Sequence, residues 1–246
     1  MKASIKLATL GICSILFLGL VACQQQHATS EGTNQRQTSS SKVPWKASYT
    51  NLNNQVSTEE VKSLLSAHLD PKSVDTFFNL VNDYNTIVGS TGLSGDFTSF
   101  THTEYDVEKI SHLWNQKKGD FVGTNCRINS YCLLKNSVTI PKLEKNDQLL
   151  FLDNDAIDKG KVLDSKDKEE FDILFSRVPT EATTDVKVHV EKMETFFSQF
   201  QFNDKARMLS VVLHDNLDGE YLFIGHVGVL VPADDGFLFV EKLTFE

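Results

Sequence analysis

The chain predicts an α+β domain, and three features carry that reading. Apolar side chains recur at helical spacing from about residue 57 to residue 200. The last forty residues change to alternating or continuous apolar runs separated by Asp-, Asn- and Gly-rich turns. No internal repeat and no Pro/Gly-rich break divides the chain, so residues 45–246 read as a single domain, long enough for one sizeable core. Helices first and sheet last imply helices packed on a C-terminal antiparallel meander.

The N-terminus stands apart. Lys2 and Lys6 precede an apolar stretch from Leu7 to Leu20, which closes on Leu20-Val21-Ala22-Cys23. Residues 1–22 read as a secretory leader; the stretch is short for a membrane span of about 20 residues, and a polar tract follows at once. The Leu-Val-Ala-Cys ending resembles the bacterial lipobox, which implies cleavage before Cys23 and a diacylglycerol on its thiol. Residues 23–44 then form a flexible tether, because Gln24 to Lys42 is rich in Gln, Ser, Thr and Asn and has almost nothing to bury. His27 lies within it as a solvated residue. The implied location is the outer face of the bacterial cytoplasmic membrane, with the lipid on Cys23 as the membrane contact. Losing Lys2 and Lys6 with the leader takes the formal charge from -9 to -11. That argues against nucleic acid or anionic lipid as a main partner.

The helices follow in order. Ser57-Thr-Glu-Glu60 has capping-box spacing, with Val61, Leu64, Leu65 and Leu69 on one face. Val74, Phe77, Phe78, Val81 and Tyr84 form a second stripe that Gly89 stops. Val107, Ile110, Leu113 and Trp114 form a third, ending before Gly119. A fourth carries Cys126, with Thr124 as its cap. Phe171, Leu174 and Phe175 mark a helix finishing before Pro179, and Val190, Met193, Phe197 and Phe200 mark another. These stripes are core rather than ligand boxes. Met208–Leu213, Tyr221–Val231 and Phe237–Leu243 are the strands, joined by turns at Asp215–Gly219 and Pro232–Gly236.

Two of these elements carry the candidate chemistry. Cys126 begins a helix, where unpaired backbone N–H groups favour thiolate. His226 lies in a strand, in Gly225-His-Val-Gly228, and an imidazole facing the thiol completes a nucleophile–base pair. If Val231 and Gly236 close the second hairpin, His226 falls directly opposite Glu241 on one face of the sheet. A carboxylate there orients the imidazole. Gly225 and Gly228 leave room beside the histidine for another chain or side chain. Cys126 and Cys132 are the remaining thiols. Six residues of helix separate them by about 9 Å, beyond the roughly 7 Å limit for bridging, so free thiols are favoured over a disulfide.

A helix-borne cysteine, then a strand with His-Val-Gly-Val, then a hairpin to a strand with a third polar group resembles the NlpC/P60 papain-like peptidases and amidases. By that resemblance Cys126 is the nucleophile, His226 the general base and Glu241 the orienting residue. Asn125 and Arg127 are the supporting and oxyanion candidates. Members of that superfamily usually show Asp before the cysteine and Ser or Gly after it, where this chain has Asn125 and Arg127. One hundred residues separate Cys126 from His226, and the chain ends at Glu246 just after the third strand, short of where such relatives continue. The lipobox and the Gly-Thr-Asn-Cys-Arg segment together resemble an uncharacterised lipoprotein family of Gram-positive cocci, a domain of unknown function.

The implied activity is a thiol amidase or peptidase, with cell-wall peptides as the natural substrate for a protein at that address. The competing class is a non-catalytic surface binding lipoprotein of the same fold. No cofactor is implied. No His/Cys/Asp/Glu spacing suits zinc. Asp153, Asp155 and Asp158 alternate with Asn154 in a calcium-like way, but without the Gly and distal Glu of an EF-hand loop they read as a solvated acidic turn. His68 and His112 fit helix surfaces, and His102, His189 and His214 fall near loops and element ends.

Overall fold

The computed structural model describes residues 46–100 and 104–245, and residues 4–10 by their backbone course. The elements in chain order are β1 (Ser4–Leu10), β2 (Lys46–Thr50), α1 (Gln55–His68), α2 (Pro71–Val88), β3 (Thr98–Ser99), α3 (Val107–Lys118), α4 (Cys126–Leu134) and β4 (Val138–Thr139). There follow α5 (Phe151–Gly160), α6 (Ser165–Leu174), β5 (Val178–Pro179), α7 (Val186–Phe197), β6 (Gln201–Phe202), β7 (Arg207–Asp215), β8 (Tyr221–Ala233) and β9 (Gly236–Lys242). The fold is mixed α/β, with helices packed on a largely antiparallel sheet.

Short polar side chains fix most helix starts. Asn54 caps α1 by accepting from the Ser57 N–H, Asp70 caps α2 with Pro71 in the first turn, and Asp106 caps α3. The capping box expected at Ser57 is therefore displaced by one turn. Ser57 lies inside the helix, buried, and its hydroxyl meets the Asn54 side chain at 3.0 Å. Most of the predicted stripes bury: Val61 and Leu65 of α1 with Leu69 just after it, Val74, Phe77, Phe78, Val81 and Tyr84 from α2, and Ile110 and Trp114 from α3. Val107 and Val190 are exposed, because the N-terminal parts of α3 and α7 turn those positions to solvent. They pack with Val229, Val231, Leu238 and Val240 of the sheet into one cluster. A second cluster joins α4, α5 and α6, through Ile128, Tyr131, Ile157 and Phe171, to Ile224 and Val227 of β8.

The C-terminal meander forms as expected, with β7 and β9 both antiparallel to β8. The sheet also recruits strands that the periodicity does not announce: β2, β3 and β5, and a β1 whose backbone runs parallel to both β2 and β9. β1 belongs to the segment assigned to the leader, while Cys13, Cys23 and residues 24–44 of the tether lie outside the described residues. A separate two-stranded ribbon pairs β4 with β6.

β8 is the longest strand and it positions the site. One edge pairs with β7 from Tyr221 to Leu230. The other edge is shared: Tyr221 and Leu222 pair with β5, and Gly228 to Ala233 pair with β9. Residues 223–227 have no second strand in either ladder. Backbone polar groups need partners, and α4 comes in at this gap. The Arg127 guanidinium Nη1 donates to the Ile224 carbonyl at 3.0 Å, and the Ser130 hydroxyl donates to the Val227 carbonyl at 3.3 Å.

Candidate active site

The thiol side of the site is built from the start of α4. Gly123 has φ +91°, and a Cβ there would lie 2.5 Å from the Phe245 carbonyl oxygen. Glycine is thus needed both for the turn and for the close approach of the C-terminal segment. Asn125, rather than the expected Thr124, is the cap: its extended backbone leads into the helix and its side-chain oxygen accepts from the Ile128 N–H at 3.1 Å. Thr124 instead accepts from the Asn129 amide at 2.9 Å. Cys126 is the first helical residue, buried at 5 % exposure. The first intrahelical bond after the cap runs from the Asn129 N–H to the Asn125 carbonyl. The N–H groups of Cys126 and Arg127 come before it, at the positive end of the helix dipole.

The imidazole side comes from a β-bulge. Val211 pairs with His226 and Val212 with Ile224, leaving Gly225 as the extra residue of β8. Bulges re-aim the side chain that follows, and here the buried positions change phase from Leu222 and Ile224 to Val227, Val229 and Val231. Nothing in the sequence pattern announces the bulge except Gly225 itself, where a Cβ would meet Leu213 at 2.5 Å.

His226 and Glu241 are joined at 2.5 Å, from Nε2 to a carboxylate oxygen. The expected register is corrected here. Gly228, not His226, stands opposite Glu241, because the hairpin closes at Ala233 and Gly236. A one-residue slip would have moved the pair to opposite faces, whereas this two-residue slip keeps them on one face as diagonal neighbours. Gly228 stands between the two in the register. A Cβ there would meet the Phe239 ring at 2.4 Å and the Val240 carbonyl at 2.7 Å, so the close packing of β9 against this position needs glycine.

The Cys126 thiol lies close enough to the same imidazole to raise its pKa, so the three groups that the sequence singled out converge in space. Nε2 is committed to Glu241, which leaves Nδ1 for the sulfur. The contact with Cys126, and next the Glu241 carboxylate, raise the His226 pKa from 6.5 to about 10, against the opposing effect of partial burial. His226 is 29 % exposed and Glu241 12 %, so the site opens to solvent at the ring.

The residues flanking the cysteine are held by a group that the sequence reading placed elsewhere. Asp153 is fully buried in α5, not in a solvated turn. It accepts from Asn125 Nδ2 at 2.7 Å, from Arg127 Nε at 2.9 Å and from Arg127 Nη2 at 2.7 Å. Burial works against the Arg127 charge, but the adjacent Asp153 carboxylate outweighs it and keeps the guanidinium pKa above its ordinary value. The side chains of Asn125 and Arg127 are thus committed to support, and the donors left for an oxyanion are the backbone N–H groups at the helix start. One sign of Asp153 was present in the sequence. Asp153, Ala156 and Ile157 recur at i, i+3 and i+4, which puts a carboxylate on the buried stripe of a helix.

Cys126 and Cys132 are both free thiols. Cys132 is wholly enclosed, and burial pushes its thiol up to about 12, which suits a packing residue. His189 and His214 belong to regular elements, α7 and β7, and their rings approach to 4.6 Å. His68 closes α1, His112 bonds Gln116 on the face of α3, and His102 lies outside the described residues. Among the described residues, no group of three or more His, Cys, Asp or Glu is arranged to hold a metal ion. No described helix is long and apolar enough to cross a membrane.

A family model described as a domain of unknown function, DUF4300, matches residues 48–246. No curated protein and no solved structure matches the chain.

Proposed function

The chain belongs to the DUF4300 family, a domain of unknown function, and we propose that it is a thiol amidase or peptidase with a papain-like active centre, tethered by a lipid on Cys23 to the outer face of the bacterial cytoplasmic membrane. The observation that carries the catalytic part is the His226 imidazole held by the Glu241 carboxylate at 2.5 Å, with the Cys126 thiol near enough to raise its pKa. The NlpC/P60 likeness supports it through the order of the three groups: helix-borne cysteine, strand-borne histidine, then an acid on the next strand.

In this reading the thiol proton has passed to Nδ1 of His226 before attack, and Cys126 Sγ attacks the carbonyl carbon of an amide as the thiolate of a thiolate–imidazolium pair. Glu241 holds the ring through Nε2 and stabilises the imidazolium that results. The N–H groups of Cys126 and Arg127 receive the developing oxyanion. The imidazolium then protonates the leaving amine, the C–N bond breaks, and an acyl-thioester remains on Cys126. Water, deprotonated by His226, hydrolyses the thioester and restores the thiol. Cell-wall peptides are the substrate class suggested by the lipobox, since a protein anchored there meets their amide bonds.

Iodoacetamide labelling tests the reading. The wild-type Cys126 should label faster at neutral pH than Cys132, and His226→Ala should slow Cys126 labelling by roughly tenfold or more. A preparation of cell-wall peptides incubated with the protein should gain free amines, and Cys126→Ala should abolish the gain. Equal labelling of the wild-type protein and His226→Ala, with no amine release, would leave a non-catalytic surface protein.

A further inference from the structure

Asp153 has no place in the chemistry above, yet it is the most deeply buried charged group near it. A buried ion pair is a poor way to gain stability, because losing water around both charges offsets their attraction. A well-packed apolar pair would serve α5 and α4 as well or better. What the carboxylate does that an apolar side chain cannot is fix directions. Its three hydrogen bonds fall on the residues immediately before and after Cys126. The guanidinium that it orients sends its remaining arm, Nη1, to the Ile224 carbonyl, two residues before His226. Asn125, held from the same side, caps the helix through Ile128. One carboxylate therefore links α5 to the start of α4 that bears the thiol and, through Arg127, to the stretch of β8, paired on one edge only, that bears the imidazole.

We infer that Asp153 is a positioning residue for the thiol–imidazole pair: through Asn125 and Arg127 it sets the approach of the helix start to the bulged strand. This rests on the reading of Cys126 and His226 given above. It makes Asp153 act only through that pair, which distinguishes it from a residue that simply holds the fold.

The test is the pH profile of iodoacetamide labelling at Cys126 in full-length wild type, Asp153→Asn, His226→Ala and the double variant, with thermal unfolding measured alongside. The Asp153→Asn side chain keeps its size and loses its charge. Labelling at neutral pH should fall about tenfold. In the His226→Ala background the same substitution should change labelling less than twofold, because the pair it positions is already gone. A profile for Asp153→Asn that overlays wild type while only the melting temperature falls would overturn the inference, as would equal losses in both backgrounds. If Asp153→Asn does not fold, Arg127→Lys serves instead. It keeps the charge beside Asp153 but lacks the planar fork that spans to Ile224, and it should slow labelling several-fold only when His226 is present. Labelling of the wild type that is indifferent to His226→Ala would instead overturn the catalytic reading, and the two failures are thereby separate.

Discussion

At the scale of single residues, the histidine carries the most information. Its contacts with Cys126 and Glu241 hold the proton more tightly in the folded chain than in a free imidazole, with the pKa raised from 6.5 to about 10. The sign of the linkage follows. The contribution to stability is complete below about pH 6.5 and is lost as pH rises through about 10, as the imidazolium gives up its proton. Ring NMR should show His226 still largely protonated at pH 8. In Glu241→Gln its midpoint should fall by about one unit or more, because an opposite charge has been removed, and the loss of stability between pH 6.5 and pH 10 in urea titrations should shrink. A midpoint unmoved by Glu241→Gln would show that the carboxylate does not govern the ring.

At the scale of elements, most helices and the terminal meander were legible because they bury one face, and burial writes a period into the sequence. The stripes of α1, α2 and α3 read directly from Val61 to Trp114. What stayed hidden was set by contacts distant in sequence. β2, β3 and β5 are strands because a neighbouring edge is available, not because five or two residues carry a pattern. The caps were displaced for a related reason. Ser57 and Thr124 were plausible by type, but Asn54 and Asn125 reach the open N–H groups first. Of the site, the order Cys126, His226, Glu241 was readable, whereas the hairpin register and the role of Asp153 were not. α4 gives a direct test of its cap. Asn125→Ala removes the bond to the Ile128 N–H and one bond to Asp153, so chemical denaturation should show a loss of about 1–2 kcal/mol. A change within a few tenths of a kcal/mol would mean that water replaces the cap without cost.

At the scale of the whole molecule, the folded part and the anchoring part meet at β1, which lies in the segment assigned to the leader and yet runs between β2 and β9 in the sheet. The described hydrophobic clusters draw on residues from Leu52 onward, while the proposed attachment depends on Cys23 alone. Cys23→Ala should therefore move the protein from the membrane fraction to the released fraction of expressing cells, without changing Cys126 labelling of the folded chain. Retention at the membrane after that substitution would remove the lipid anchor from the proposal. The address and the chemistry would then have to be argued apart.

The closeness of Phe245 to Gly123 carries a practical corollary. The carbonyl of Phe245 occupies the space where a side chain at Gly123 would stand, and Gly123 lies three positions ahead of the sulfur. A purification handle or fluorescent fusion appended after Glu246 begins beside the very loop that delivers the thiol. Reporters and tags for biochemical work on this protein belong away from that end.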